Sequence, residues 1–238
     1  MDLKRFTFGG EDTEMFAQSA REKVIEQTKN TGILPAIKLK EREDLLPYAQ
    51  ALYDGGARVI EITTTTPGFI EAIQTIAAKF GPELHVGAGT VLDEATARLA
   101  LLAGASLIVN PALIPSVIAL AHRYGAACYS GAFTATESLE AMQAGADMIK
   151  IFPAALGGPQ YMTNLRMVYP DVNLIPSGGI GLYNAAEFIQ CGACAISGAR
   201  KFVDRDMVRQ HGLAWITDQT AKYIQIIAQA KGKADPSY

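Results

Sequence analysis

Read for hydrophobic spacing, the chain alternates two textures. Segments with apolar residues three and four apart, such as Leu45, Leu46, Tyr48, Ala49, Leu52 and Tyr53, read as amphipathic helices. Each gives way to a short apolar run with little alternation, as in a parallel strand covered on both faces. One phrase marks the junction, Gly-Ala followed by the run: Gly56-Ala57-Arg58-Val59-Ile60-Glu61, Gly104-Ala105-Ser106-Leu107-Ile108-Val109, Gly125-Ala126-Ala127-Cys128-Tyr129-Ser130, Gly145-Ala146-Asp147-Met148-Ile149-Lys150 and Gly192-Ala193-Cys194-Ala195-Ile196-Ser197. A glycine there predicts a helix closed by a left-handed residue.

Three further runs, at 33–37, 84–89 and 172–176, bring the expected strands to eight, starting near residues 33, 58, 84, 106, 127, 147, 172 and 194. The intervals, about 20 to 26 residues, suit one strand, one helix and two turns. Eight helix-linked parallel strands predict a single (β/α)8 TIM barrel over residues 31–238. A doubly wound open sheet is the competing architecture, but six strands would suffice for it. Residues 1–30 form an N-terminal extension. Its amphipathic stretch, from Glu11-Asp12-Thr13-Glu14 through Ile25, predicts an extra helix that covers the bottom of the barrel or makes a subunit contact.

Composition narrows the class. Of the 238 residues, 49% are apolar and 19% charged, against about 25% charged in a typical soluble chain, so there is ample surface to bury. The net charge of −3, without a basic block, argues against a nucleic-acid partner. No run approaches the roughly 20 apolar residues of a membrane span, and Met1-Asp2-Leu3-Lys4-Arg5-Phe6-Thr7 lacks the apolar core of a secretory signal. Neither membrane insertion nor secretion is expected. Three cysteines, Cys128, Cys191 and Cys194, are too few and of the wrong parity for a disulfide framework, which points to the cytoplasm.

In a barrel, chemistry sits at the carboxyl ends of the strands. Five positions after the repeat glycines stand Glu61, Val109, Ser130, Lys150 and Ser197, and the two ionisable ones break the apolar pattern. Burial disfavours a charged amine, so Lys150, between Met148-Ile149 and Ile151-Phe152, is a candidate nucleophile for a carbonyl. The bland reading is a lysine whose stem packs on the rim. Glu61 is a candidate proton shuttle, or else merely the ion-pair partner of Lys150. Pro176-Ser177-Gly178-Gly179-Ile180-Gly181 after strand seven and Ser197-Gly198-Ala199-Arg200 after strand eight stand where such barrels cradle phosphate; the alternative is that these glycines only turn the chain. Gly87-Ala88-Gly89-Thr90-Val91 and the run Thr63-Thr64-Thr65-Thr66 put hydroxyls near the mouth. His85, His122 and His211 have no ligand spacing, and Cys191-x2-Cys194 reads as a buried pair of thiols, so neither a metal site nor a cofactor is expected.

Val59-Ile60-Glu61-Ile62-Thr63, Gly87-Ala88-Gly89-Thr90-Val91-Leu92, Asn110-Pro111, Ile149-Lys150-Ile151-Phe152-Pro153-Ala154 and Pro176-Ser177-Gly178-Gly179-Ile180 resemble, in order and spacing, the signature segments of the 2-keto-3-deoxy-6-phosphogluconate / 2-keto-4-hydroxyglutarate (KDPG/KHG) aldolase family. The resemblance runs from about Gly32 to Val203. It implies a metal-independent class I aldolase on a (β/α)8 barrel, usually a homotrimer. Such an enzyme cleaves a 2-keto-3-deoxy acid to pyruvate and an aldehyde such as glyceraldehyde 3-phosphate. Carried over residue by residue, Lys150 matches the Schiff-base lysine and Glu61 the general acid/base. Thr90, Pro111 and Phe152 match substrate-contacting positions, and Ser177, Gly178, Gly179, Ser197 and Gly198 match the phosphate end. Thr65 stands where many members carry a substrate-binding arginine, and Ile37-Lys38-Leu39-Lys40 where others carry one. The resemblance therefore implies altered recognition of the substrate's charged ends, with Lys38 or Lys40 in compensation. A phosphosugar isomerase or epimerase, or a sugar-phosphate-binding barrel without turnover, is the alternative function.

Overall fold

The computed structural model describes residues 19–232. All eight strands form, in the positions the apolar runs mark: β1 (Ile33–Ile37), β2 (Val59–Thr63), β3 (His85–Gly89), β4 (Leu107–Val109), β5 (Ala127–Ala132), β6 (Met148–Ile151), β7 (Leu174–Pro176) and β8 (Ile196–Gly198). Each pairs in parallel with its neighbour in sequence from β1 to β7, and β1 pairs with β8, Ile33 opposite Ile196. A bridge between Ser177 and Ser197 closes the ring. The open sheet is thereby excluded, because every strand has a partner on both sides. β7 begins two residues later than expected because the Val172 N–H closes a turn on the Tyr169 carbonyl.

Ten α-helices lie among the described residues: α1 (Ala20–Thr31), α2 (Leu46–Asp54), α3 (Phe69–Phe80), α4 (Glu94–Leu102), α5 (Pro115–Arg123), α6 (Ala135–Gln143), α7 (Ala154–Val168), α8 (Ala185–Gln190), α9 (Arg205–His211) and α10 (Ala214–Lys231). The five repeat glycines that precede strands all have positive φ, from 71° at Gly125 to 102° at Gly104, as a left-handed helix exit requires. α7 is broken at Gly158, whose φ of 68° and ψ of −178° lie outside the helical region.

Both faces of the sheet are apolar, which is why its strands read as continuous runs. Ile33, Ile37, Ile60, Ile62, Ile108 and Ile149 face the helices, while Leu34, Val59, Leu107, Tyr129, Met148 and Ile175 fill the interior. α1 plugs the floor beneath them. It starts at a capping box between Ser19 and Glu22, buries Val24 in the interior cluster and sets the Thr28 hydroxyl 2.8 Å from that of Tyr129. Arg21 holds Asp147 Oδ1 through Nε and a terminal nitrogen, at 2.8 and 2.6 Å. The other oxygen of Asp147 accepts from the Cys128 N–H at 2.8 Å and lies 3.2 Å from His122 Nε2. The part of the expected extension before residue 19 lies outside the described residues. All three cysteines are free; Cys128 is buried, whereas Cys191 and Cys194 are half-buried, more exposed than expected because they follow α8 at its exit.

Candidate active site

With the floor plugged, the open end of the interior is the carboxyl end of the strands. Alternation along each strand dictates which residues reach it. On β6, Met148 points inward at the floor and Lys150 does so one layer higher; on β2 the inward series is Val59, Glu61 and Thr63. The upper positions surround a cavity of about 420 Å³. Glycines let neighbouring segments approach its walls closely. Gly131, in register with Lys150, has room for no Cβ, which would stand 2.1 Å from the Pro111 backbone.

At the bottom of the cavity Lys150 Nζ lies 3.2 Å from Glu61 Oε1, with the two side chains 10% and 3% exposed. The other carboxylate oxygen, Oε2, is buried and has no protein partner. Gly89 on the adjacent strand makes the space this carboxyl occupies, since a Cβ there would stand 2.8 Å from it. An amine and a carboxylate in contact, buried among apolar walls, can pass a proton between themselves and present a lone pair to a carbonyl carbon.

Thr90, Pro111 and Phe152 also line the cavity. Thr90 has a φ of 61°, a left-handed conformation unfavourable for a β-branched residue, and the Thr64 hydroxyl holds it by donating to its carbonyl at 2.9 Å. Thr65 is placed differently from the expectation. It is exposed, it is not among the lining residues, and its hydroxyl lies 3.0 Å from that of Thr63, which does line the cavity. The period-two rule applied to β2 from Glu61 points to Thr63, two residues on, because Thr65 already belongs to the following turn.

On the opposite wall stand all five residues matched to the phosphate end, Ser177, Gly178, Gly179, Ser197 and Gly198. Gly178 and Gly179 have φ of 87° and 80°, and among the described residues neither N–H donates a hydrogen bond. Any side chain at Gly179 would meet Ala155 at 2.4 Å. The Ser197 hydroxyl is buried without a partner. Lys38, Arg200 and Lys201 bring positive charge to this side, with Arg200 paired to Asp204 at 3.2 Å. A second hollow of about 520 Å³ continues outward, sharing Lys38, Ala199 and Arg200 with the first. Among the described residues no three His, Cys, Asp or Glu side chains cluster closely enough to hold a metal ion.

Residues 24–219 match the family model described as KDPG and KHG aldolase. The chain belongs to the KDPG and KHG aldolase family. This aldolase-family chain is 33% identical over 205 residues to the 2-dehydro-3-deoxy-phosphogluconate aldolase of Treponema pallidum (strain Nichols), covering 86% of its own length and 97% of that protein. It is 36% identical over 157 residues to the 2-dehydro-3-deoxy-6-phosphogalactonate aldolase of Escherichia coli (strain K12), covering 66% of its own length and 76% of the other. Among solved structures, the KDPG aldolase of Legionella pneumophila, with pyruvate captured at low pH as a covalent carbinolamine intermediate, superposes with a TM-score of 0.76 at 28% identity, over 83% of this aldolase-family chain and 96% of that one.

Proposed function

We propose that the chain is a class I aldolase that cleaves a phosphorylated 2-keto-3-deoxy sugar acid, of the KDPG kind, into pyruvate and an aldehyde such as glyceraldehyde 3-phosphate. The observation that carries this reading is the buried contact of 3.2 Å between Lys150 and Glu61 at the bottom of the cavity. The Legionella relative's covalent pyruvate complex supports it.

The steps follow from the chemistry of the pair. Glu61 takes the ammonium proton, and the freed lone pair of Lys150 adds to the C2 ketone to form a carbinolamine. Glu61 returns the proton to the carbinolamine hydroxyl, water leaves, and the iminium cation remains. The C3–C4 bond then breaks, its electron pair flowing to the iminium nitrogen, while the C4 hydroxyl loses its proton to Glu61, directly or through water, and the aldehyde departs. The enamine recovers that proton at C3, and addition of water releases pyruvate and free Lys150. Glu61 Oε1, 3.2 Å from Lys150 Nζ, is the oxygen placed to take and return the ammonium proton. Thr63, Thr90, Pro111 and Phe152 enclose the pyruvyl half. Ser177, Gly178, Gly179, Ser197 and Gly198 hold the phosphate with free N–H groups and hydroxyls, and Lys38 adds charge beside them.

Borohydride treatment in the presence of pyruvate tests the reading. A reduced pyruvyl adduct on Lys150, found by peptide mass spectrometry, is the expected result. No adduct, or full cleavage activity in Lys150→Ala, overturns it.

We also read the working form as a homotrimer in the cytoplasm. Leu92, Leu99 and Leu102, each more than half exposed around α4, offer apolar surface of the kind that assembly covers. Sedimentation equilibrium of the purified protein would reveal a different stoichiometry.

A further inference from the structure

We propose that Thr66 is a positioning residue for substrate recognition. Its hydroxyl accepts from the backbone N–H that follows Lys38 and so aims Lys38 at the cavity. The inference rests on the reading that Lys38 meets the anionic tail of the aldol substrate.

Thr66 lies in the turn after β2, wholly buried, with its own N–H donating to the Thr63 carbonyl at 2.9 Å. The β1–β2 pairing runs through Ile37 opposite Ile62 and ends there. Leu39, two residues past the end of β1 and on the same face as Ile37, is buried, and its N–H donates to Thr66 Oγ1 at 3.2 Å. The same oxygen is 3.4 Å from the Ile37 carbonyl and 3.1 Å from Thr63 Oγ1. Thr66 thus holds the backbone immediately after Lys38 through the Leu39 N–H. Ile37 and Leu39 stay turned toward the helices, and the alternation leaves Lys38 on the cavity side, where it lines both hollows. Among the described residues Lys38 has no ion-pair partner.

A threonine hydroxyl has one proton to donate and two lone pairs, so Thr66 can accept from the Leu39 N–H and still donate to Thr63 Oγ1 or to the Ile37 carbonyl.

The test is a KM-against-kcat comparison on a phosphorylated 2-keto-3-deoxy sugar acid and its unphosphorylated counterpart. Thr66→Val, which keeps the shape and removes the hydroxyl, raises KM for the phosphorylated substrate about tenfold, the worth of one hydrogen bond to a charged group, and changes kcat and the unphosphorylated KM by less than about twofold. Thr66→Ser restores wild-type behaviour. Lys38→Met shows the same phosphate-selective rise, and adding Thr66→Val to it raises KM little further, as two residues acting through one contact require. Equal effects on the two substrates, a loss confined to kcat, no rescue by serine, or a full further penalty in the Lys38→Met background overturns the proposal. Thr66→Ala carries the same expectations if the valine variant does not fold. Failure of the aldolase reading itself shows separately, as a wild-type chain that forms no pyruvate adduct on Lys150.

Discussion

Gly89→Ala adds one methyl group to the molecule at its most sensitive point. The new Cβ would stand 2.8 Å from both Cδ and Oε2 of Glu61 and 3.2 Å from Oε1. Relaxed contacts between such atoms need about 3.5 Å, so the carboxyl must retreat by roughly 0.5–1 Å. Gly89 is not among the residues with positive φ, so alanine introduces no backbone strain and the effect falls on Glu61. Its Oε1 is 3.2 Å from Lys150 Nζ, already long for a hydrogen bond, and a retreat of that size breaks the contact. Misplacing a catalytic group by about 1 Å costs about 10²-fold in rate, and losing acid–base help costs about 10²–10⁴-fold. The expected fall in kcat/KM is therefore about 10²–10³-fold, against a modest overpacking cost of about 1–3 kcal/mol in stability. Steady-state pyruvate release, with circular dichroism to check folding, measures both. Glu61→Gln should fall comparably, and the double variant no further. A folded Gly89→Ala protein with wild-type kcat/KM would show that catalysis does not depend on the placement of the Glu61 carboxyl.

Three further outcomes are expected. Thr65→Ala changes kcat/KM by less than about twofold because its hydroxyl is exposed, whereas Thr63→Val lowers it about tenfold; parallel kinetics on the two variants would expose the opposite ranking. Arg21→Ala removes two hydrogen bonds to Asp147, costing about 1–3 kcal/mol, and native-state hydrogen exchange should accelerate in α1 ahead of the strands. Burial first, and the Lys23 charge second, hold the His85 pKa below its ordinary value. Native His85 is thus neutral while the unfolded chain takes up a proton, so its contribution is intact above about pH 6.5 and declines as the pH falls below that. Melting curves between neutral and mildly acidic pH should show a smaller acid loss in His85→Gln than in the wild type.

Several features were legible because they are properties of neighbouring residues. The helix exits at Gly56, Gly104, Gly125, Gly145 and Gly192 announce themselves through the residues around them, since each needs a left-handed backbone. Lys150 and Glu61 stood out because an ionisable residue in an apolar run carries a desolvation cost that calls for a partner. Thr63 was less legible: strand periodicity favours it over Thr65, but the boundary between β2 and its turn, which decides the matter, depends on where pairing with β3 stops. Nothing local marks Thr66, whose hydroxyl matters through contacts with residues nearly thirty positions earlier in the chain.

The chain's own pattern determined eight strand–helix units, their order, and which residues carry charge into an apolar interior. Tertiary structure alone decided that the sheet closes through Ser177 and Ser197, that α1 seals one end, and that Lys150 meets Glu61 across a sequence separation of 89 residues. The physical reason is that periodicity and glycine punctuation are set by short-range sterics. A contact between two inward-facing side chains depends instead on the register of every strand around the barrel and on the space that Gly89 leaves for the Glu61 carboxyl.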